Sequence, residues 1–421
     1  MNDTFTSVEF ISKHRKKESD FTRDCKLTFP VLISFCLNLV KGSLQSELNH
    51  FFKTKHNTKT ALLKVTDSAF SKARKKFSET AFIELNKGVT QQFYEQNSTQ
   101  HWQGHRVLAV DGTKYLLPST EAIYKEYGGV SNQFEKRVPM AMGSCLYDVF
   151  QGLVLDAIIA PYTSSERELA YQHLSLAERS DLILYDRGYP SFWFFAAHQE
   201  KEINFCMRVK ASFNSATKAF VNSDKKQALA VLTADNKMTL QCVDKDLSSE
   251  PMLLRLLRIK TCKGDYILMT NLLHKTTYPM ASFKGLYHLR WQIEEGYKKQ
   301  KSWIEIENFT GKSVLAIKQD FHARILSLTL TAMAVDASQS YINSRVKQRK
   351  LAYKINFSQA LSSMKDTIIH LLFNTIGEYE IIPWLQTIAR MLSAIRPDRH
   401  FVRKKKSTDR HKFHIQYKRA L

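Results

Sequence analysis

The sequence YHLRWQIEEGYKKQK, from Tyr287 to Lys301, decides the fold of this chain. It contains no proline and is rich in Glu, Gln and Lys, so we predict an α-helix. At about 100° per residue, Tyr287, Arg290, Glu294 and Lys301 fall within roughly 60° on one helix face. A carboxylate flanked by a phenol and two cations can hold a metal ion beside phosphate groups. The pattern also fits a solvent-exposed face with an Arg290–Glu294 ion pair.

Two further acidic residues follow strongly apolar segments. Arg106–Thr113 and Leu182–Tyr189 are each predicted as a buried strand that ends at an aspartate, Asp111 and Asp186. An isolated Asp-Gly pair is equally well explained by a turn, but two core strands that both end in Asp make a stronger signal. The candidate catalytic and metal-binding residues are therefore Asp111, Asp186 and Glu294. Carboxylate oxygens suit two Mg²⁺ or Mn²⁺ ions, which can align the attacking and leaving oxygens at phosphorus.

Composition narrows the class of protein. A chain of 421 residues with 43% hydrophobic residues can hold two or three domains with a substantial core. The formal net charge of +22 indicates a polyanionic partner, nucleic acid ahead of an acidic membrane, although charge alone also fits a basic protein without such a partner. The six cysteines form no CxxC pair, no signal peptide is visible, and the apolar run Phe29–Val40 is too short to span a bilayer. We expect a cytoplasmic, nucleoid-associated bacterial protein that does not contact a membrane.

The spacing Y-x2-R-x3-E-x6-K resembles the signature of the DDE transposases of the YREK insertion-sequence group, the insertion-sequence-four-like family. The resemblance covers roughly residues 29 to 325. It implies an α/β fold with a ribonuclease H-like catalytic core, a mixed sheet with helices, interrupted by a β-rich insertion and flanked by helical regions. The predicted domains are an N-terminal helical, DNA-end-binding domain at 1–98, the core at 99–202 and 283–372, the insertion at 203–282, and a C-terminal helical region with a basic tail at 373–421.

The resemblance also implies a mechanism. Transposases of this group cleave transposon ends by two-metal-ion phosphoryl transfer through a hairpin intermediate and join them to target DNA. It makes Glu294 the third metal ligand, and Tyr287, Arg290 and Lys301 the residues that hold phosphates near the cleaved end. The implied partners are double-stranded DNA, both terminal inverted repeats and target, and a second copy of the chain in a homodimer. Two alternatives stay open: a catalytically silent DNA-binding relative, and a metal-dependent nuclease without strand transfer.

Other residues are also predicted to contact DNA. Thr66–Phe77 predicts a basic helix after a short helix and a turn, which fits a small DNA-binding unit and equally the basic face of an ordinary helical domain. Tyr266 stands where some relatives carry a Trp that stacks on a flipped base, and it fits either stacking or burial in a strand. The further candidate contacts are Arg187, Arg208, Lys210, Tyr266, Trp291, Lys298, Lys72, Arg74 and Lys75.

Three other segments carry predictions. Met238–Val243 is predicted as a strand of the insertion. Gly311-Lys312-Ser313 is similar to the end of a P-loop, but Ile306 replaces the required glycine, so no nucleotide cofactor is expected. The tail Arg396–Leu421 has ten Lys or Arg against two Asp and is either a phosphate-contacting arm or a solubilising tail.

Overall fold

A computed structural model provides the fold. The residues it describes are 2–38, 41–60, 64–131, 137–262, 264–342, 346, 351–373 and 378–396. The predictions for the basic tail beyond Arg396 and for the last two residues of the Phe29–Val40 run lie outside these ranges.

The N-terminal region is helical, as predicted. Ser43 and Thr66 begin helices by accepting hydrogen bonds from the backbone N–H groups three residues later. Large aromatic side chains fill the core between these helices: Phe35 lies 4.8 Å from Phe70 and 5.4 Å from Phe51, measured between ring centroids. The helices are α1 Asn2–Thr6, α2 Val8–His14, α3 Phe29–Leu37, α4 Leu44–Lys55, α5 Asp67–Ala73 and α6 Thr80–Gln96, with a 3₁₀ turn at Arg74–Lys76.

A mixed sheet forms the centre of the molecule. Its first strands are β1 Val107–Leu116, β2 Gly129–Ser131, β3 Arg137–Asp148, β4 Val154–Pro161, β5 Leu182–Tyr185 and β6 Asn204–Val209. The strand order is β4-β3-β1-β5-β6, in which β3 is antiparallel to β1 and β4, whereas β1, β5 and β6 are parallel. This is the order and orientation of a ribonuclease H-like core, so the predicted fold class is confirmed.

The first aspartate strand is longer than predicted. The sequence predicts that the strand ends at Asp111-Gly112, but β1 continues to Leu116. The reason is long-range pairing: Asp111 lies opposite Cys145 of β3, and the register continues to Leu116 opposite Met140. The turn prediction is therefore wrong, and Asp111 lies inside a strand.

The insertion extends the same sheet rather than forming a separate one. Strands β7 Gln227–Leu232, β8 Met252–Ile259 and β9 Tyr266–Thr270 continue it from β6 in the order β6-β9-β8-β7. The predicted strand at Met238–Val243 is wrong, since Asn236–Val243 is a helix, α11. The Asp235 side chain begins this helix by accepting a hydrogen bond from the Met238 N–H at 2.8 Å. Helix α10 spans Ser215–Val221.

One long helix joins the sheet to the N-terminal helices. This helix, α14 Val314–Gln339, places Phe321 in the core against the sheet and Leu326 in the core of the N-terminal helices. Because it is buried on several sides, it has no single apolar stripe. The other helices are α7 Glu121–Tyr127, α8 Glu166–His173, α9 Phe192–Glu200, α12 Ser282–His288, α13 Trp291–Lys298, α15 Phe357–Leu372 and α16 Glu378–Arg390, and the short strands β10 Tyr353–Ile355 and β11 Leu392–Ala394 form a pair. In the described part of the chain, no helix combines the length and apolar character needed to cross a membrane.

Candidate active site

The two aspartates lie at the same edge of the sheet. Strands β1 and β5 are parallel and pair over Val107–Ala109 and Leu182–Leu184, so both chains leave this pairing on the same side. Asp111 follows two residues after the paired segment of β1, and Asp186 directly follows β5. Each carboxylate accepts a local backbone hydrogen bond, Asp111 from the Gly112 N–H at 2.9 Å and Asp186 from the Gly188 N–H at 2.7 Å.

The third acid, Glu294 of helix α13, is connected to this edge of the sheet by Arg290. The Arg290 guanidinium donates to Glu294 Oε1 at 2.8 Å and lies 3.5 Å from Asp111 Oδ2. Arg290 is only 8% exposed. Burial disfavours its charge, but the hydrogen bond to Glu294 and the charge of Asp111 outweigh burial and raise its pKa. The cation thus links the first and third acids.

The predicted single helix over Tyr287–Lys301 is wrong. Helix α12 ends at His288 and α13 begins at Trp291. The junction is held by short-range bonds, from the Arg290 N–H to the Tyr287 carbonyl and from the Ile293 N–H to the Arg290 carbonyl, each 3.2 Å long. A π-helical turn over Lys299–Trp303 follows. The angular positions expected for one regular helix therefore do not apply.

The four signature side chains consequently have different surroundings. The buried Tyr287 hydroxyl donates to the Tyr185 carbonyl at 3.2 Å, directly before Asp186. Lys301 donates to the Lys114 carbonyl at 2.7 Å, near the end of β1. Tyr287 and Lys301 thus attach α12 and the π-helical turn to the two aspartate strands, while Arg290 contacts both Glu294 and Asp111.

Close packing and a hydrogen bond fix α13 against β3 and β1. Gly296 lies beside the Tyr147 ring, and a Cβ at this glycine would be 3.1 Å from Tyr147 Cε2, so a larger residue would push the helix away. The next residue, Tyr297, donates from its hydroxyl to the Asp111 carbonyl at 2.5 Å. The backbone of Asp111 is therefore bonded directly to the helix that carries Glu294.

A fourth acid, Glu166, lies near this edge and was not predicted from the sequence. It is the first residue of α8, and a Cβ at Gly112 would lie 2.8 Å from the Glu166 carboxylate carbon. Partial burial and the Asp186 carboxylate raise the pKa of Glu166. No local pattern could identify it, because Glu in the first turn of a helix is common and its proximity to Gly112 depends on the packing of α8 against β1.

Burial and the neighbouring acids both affect the ionisation of Asp111. Burial raises the pKa of Asp111 from 3.8 to about 6, against the opposing effects of the Gly112 N–H and Arg290. The carboxylates of Asp186 and Glu166 raise it further. The site therefore gathers more negative charge than Arg290 neutralises.

A row of buried, hydrogen-bonded side chains supports strand β1 at Asp111. It was not predicted from the sequence either. His173 binds Asp156 through Nδ1 at 2.7 Å and Ser144 through Nε2 at 2.9 Å. The Ser144 hydroxyl in turn donates to the Asp111 carbonyl at 3.5 Å. His173 and Ser144 are fully buried, so the arrangement orients β1 rather than meeting a substrate.

The three predicted metal ligands do not form a closed cage. Within the described ranges, no three His, Cys, Asp or Glu side chains converge closely enough to hold a metal ion. The Arg290 guanidinium contacts both Asp111 and Glu294 and occupies the space between them. A metal ion at this edge would therefore require the Arg290–Glu294 pair to open.

Most of the other predicted DNA contacts are accessible to solvent. Tyr266 and Arg208 are half-buried and pack together, with the Arg208 guanidinium 5.0 Å from the Tyr266 ring centroid. The Tyr266 ring also lies 5.7 Å from the Tyr287 ring, so it belongs to an aromatic group that extends from the site. The exposed members of the predicted set are Lys72, Lys75, Arg187, Lys210, Trp291 and Lys298.

Arg74 differs from its basic neighbours. It is 5% exposed and forms an ion pair with Asp320 of α14 at 2.8 Å. It also donates to Gln319 at 2.9 Å and to Thr310 at 2.7 Å. These contacts use the guanidinium to join the N-terminal helices to α14, so in this structure Arg74 is not available to DNA.

Comparison with known proteins identifies the family of this chain. Transposase InsG for insertion sequence element IS4, from Escherichia coli, is 26% identical over 258 residues, which span 59% of this chain and 56% of that relative. A structure of the piggyBac transposase synaptic complex with hairpin DNA aligns with a TM-score of 0.44 and 8% identity, covering 92% of this chain and 84% of that one. The family described as "Transposase DDE domain" matches residues 102–330, more than half of the chain. This chain therefore belongs to the DDE transposase family.

Proposed function

We propose that this protein cleaves the ends of a mobile DNA element and joins them to target DNA. The observation that carries the proposal is the link made by Arg290, which contacts both Asp111 and Glu294 at the edge of the sheet where Asp186 also lies. A cluster of acids at that edge, on a chain with a formal net charge of +22, fits metal-assisted chemistry on a polyanion.

The acidic residues fit a divalent cation in chemistry and charge. Asp111, Asp186 and Glu294 offer the hard oxygen ligands that Mg²⁺ and Mn²⁺ prefer, and Glu166 adds a fourth carboxylate nearby. The raised pKa of Asp111 reflects burial beside like charges, which a cation would relieve. Two such ions, when bound, would activate the attacking oxygen and stabilise the leaving one.

The basic residues of the site would orient the DNA. Arg290 can exchange its bond to Glu294 for a bond to a phosphate. Because the guanidinium stays positively charged at any ordinary pH, it would neutralise part of the phosphate charge. Lys301 and the exposed Arg187 lie on segments adjoining β1 and β5 and would bind phosphates on either side of the reacting one. Trp291, which is 48% exposed at the start of α13, offers a ring for contact with a base or sugar.

A hairpin intermediate and a dimer belong to the proposal. Tyr266 would receive a base flipped out of the hairpin, since its half-buried ring lies beside Arg208 and 5.7 Å from the ring of Tyr287. A half-buried ring can stack only on its open face, so this contact would be weaker than that of a fully exposed Trp. Two copies of the chain would hold the two ends of the element together.

The direct test uses the purified protein with Mg²⁺ or Mn²⁺ and the DNA termini that flank its gene. The products are resolved on a denaturing gel, with EDTA as the metal-free control. We expect a nick at the element boundary, then a hairpin band and joined products, all absent with EDTA. Cleavage without joining would instead identify a nuclease, and binding without any cleavage would identify a silent DNA-binding protein.

DNA binding by the N-terminal helices gives a separate prediction. Lys72→Gln combined with Lys75→Gln removes two exposed charges, so we expect weaker DNA binding and a reduction of about 2 in the slope of log K against log salt. The matched control is Lys225→Gln with Lys226→Gln, an equally exposed pair before β7. Fluorescence anisotropy over a salt series measures both slopes. Equal slopes for the two double variants would contradict an end-binding role for the N-terminal helices.

A further inference from the structure

Tyr189 has a buried hydroxyl without a partner. The residue is 1% exposed, and its Oη finds no hydrogen bond among the described residues. The neighbouring ring of Tyr185, 5.2 Å away between centroids, is equally buried, but its hydroxyl is bonded to His198 Nε2 at 3.0 Å. An unpaired buried donor destabilises a fold, so the Tyr189 hydroxyl is expected to have a partner in another state of the protein.

The backbone around Tyr189 is held firmly. Arg167 donates from Nε to the Tyr189 carbonyl at 2.6 Å and from Nη2 to the Gly188 carbonyl at 2.8 Å. Gly188 in turn donates to the Asp186 carboxylate. The backbone that carries the phenol is therefore held on the same turn as the second aspartate, so we expect the motion of another side chain to supply the partner.

The acids of the site lie at the edge of the sheet from which the turn of Tyr189 leaves. The parallel pairing of Ala109 with Leu184 puts Asp111 level with Asp186, three residues before Tyr189. Burial raises the pKa of Tyr189 most, and Asp111, Glu166, Asp186 and Tyr185 raise it further. Asp111 also has spare acceptor capacity, since Oδ1 accepts from the Gly112 N–H and, among the described residues, Oδ2 has only the 3.5 Å contact with Arg290. We therefore take Asp111 as the acceptor for the phenol.

We propose that Tyr189 is a positioning residue of the active site, whose hydroxyl donates a hydrogen bond to the Asp111 carboxylate when DNA is bound. This inference rests on the proposed function. In the DNA-free protein Arg290 faces Asp111 and Glu294, and the phenol remains unpaired. When Arg290 turns to a phosphate, the Asp111 side chain becomes free to rotate, and the phenol then holds it in one orientation.

The alternative is that the hydroxyl is only a packing defect. The two explanations predict the same change in stability, because removing an unpaired buried hydroxyl should not destabilise the fold and can stabilise it, and they differ in the rate of DNA cleavage. A packing defect would therefore be improved by phenylalanine without any effect on DNA cleavage. A positioning hydroxyl would give the same stability change together with slower cleavage.

The experiment compares Tyr189→Phe with Tyr127→Phe. Tyr127 is a matched control, since it is also 1% exposed with an Oη that lacks a partner in the described part of the chain, and it lies on α7. Both variants are measured for Tm, for DNA affinity in Ca²⁺, and for single-turnover cleavage over a range of Mn²⁺ concentrations. We expect unchanged or higher Tm and unchanged affinity in both variants. Only Tyr189→Phe should cleave about 10- to 100-fold more slowly and need more Mn²⁺ for half-maximal rate.

The other outcomes are distinct. Cleavage by Tyr189→Phe at the rate of Tyr127→Phe would overturn the positioning role while leaving the proposed function intact. Slower cleavage accompanied by a lower Tm or weaker DNA binding would assign the hydroxyl a structural role and would also overturn the inference. A wild-type protein that binds DNA but never cleaves it would reject the proposed function, and the role of Tyr189 with it.

Discussion

Replacing Asp111 with asparagine is expected to abolish DNA cleavage and, at the same time, to make the DNA-free protein more stable. A carboxylate that holds a reactive cation contributes several kcal/mol to the transition state, so the loss should be about 1,000-fold or more. Asparagine keeps the size and the acceptor for the Gly112 N–H but removes a charge that is buried beside other acids. Function and stability should therefore change in opposite directions.

The stability gain should depend on pH. The pKa of Asp111 rises from 3.8 to about 6 on folding, so between these values the folded protein binds more protons than the unfolded chain. The contribution of Asp111 to the free energy of unfolding should consequently fall as pH rises from about 4 to about 6 and then level off. Asp111→Asn avoids this loss, which amounts to up to about 3 kcal/mol at pH 7 and to little at pH 4.

Urea unfolding of both proteins at pH 4 and pH 7, beside the cleavage assay, measures the two effects. Asp224→Asn is the control, because Asp224 is exposed in the turn before β7. That variant should cleave DNA normally and gain no stability. Full cleavage by Asp111→Asn would remove Asp111 from the catalytic set. A variant that is less stable than wild type at pH 7 would show that the charge of Asp111 stabilises the fold and would contradict the electrostatic account.

Local sequence patterns predicted those parts of the fold that depend on local forces. The apolar run before Asp186 gave the strand β5 and the position of that acid at the strand end, because burial of a short parallel strand requires continuous apolar residues. The hairpin of β3 and β4 follows from two apolar runs separated by a turn.

The errors arose where distant residues decide local structure. Strand β1 continues through Asp111-Gly112 because β3 pairs with it. The break between α12 and α13 occurs in residues with good helix propensity, where Tyr287 and Arg290 bond to the two aspartate strands. Glu166 could be identified only once α8 was packed against β1. Propensity and spacing contain none of this information.

Arg74 shows that local sequence also fails to tell which charged side chains are buried. Within the run Arg74-Lys75-Lys76 the sequence gives no reason to separate one cation from the next, yet Arg74 is buried and both lysines are exposed. The difference follows from the 3₁₀ turn after α5, which directs one side chain of the three toward α14. A basic run therefore predicts a positive surface without showing which of its members belong to that surface.

Arg74→Ala is accordingly expected to cost about 3–5 kcal/mol of folding free energy, because it leaves Asp320 buried without its main cation. Lys75→Ala is the matched control from the adjacent position, and we expect it to leave stability within about 0.5 kcal/mol of wild type while weakening DNA binding. Urea unfolding measures the stability of each variant, and fluorescence anisotropy on the folded protein measures its DNA binding. If Arg74→Ala were as stable as Lys75→Ala and bound DNA less tightly, the guanidinium would belong to the DNA surface after all. The interface between α14 and the N-terminal helices would then have to be stable through its apolar contacts alone.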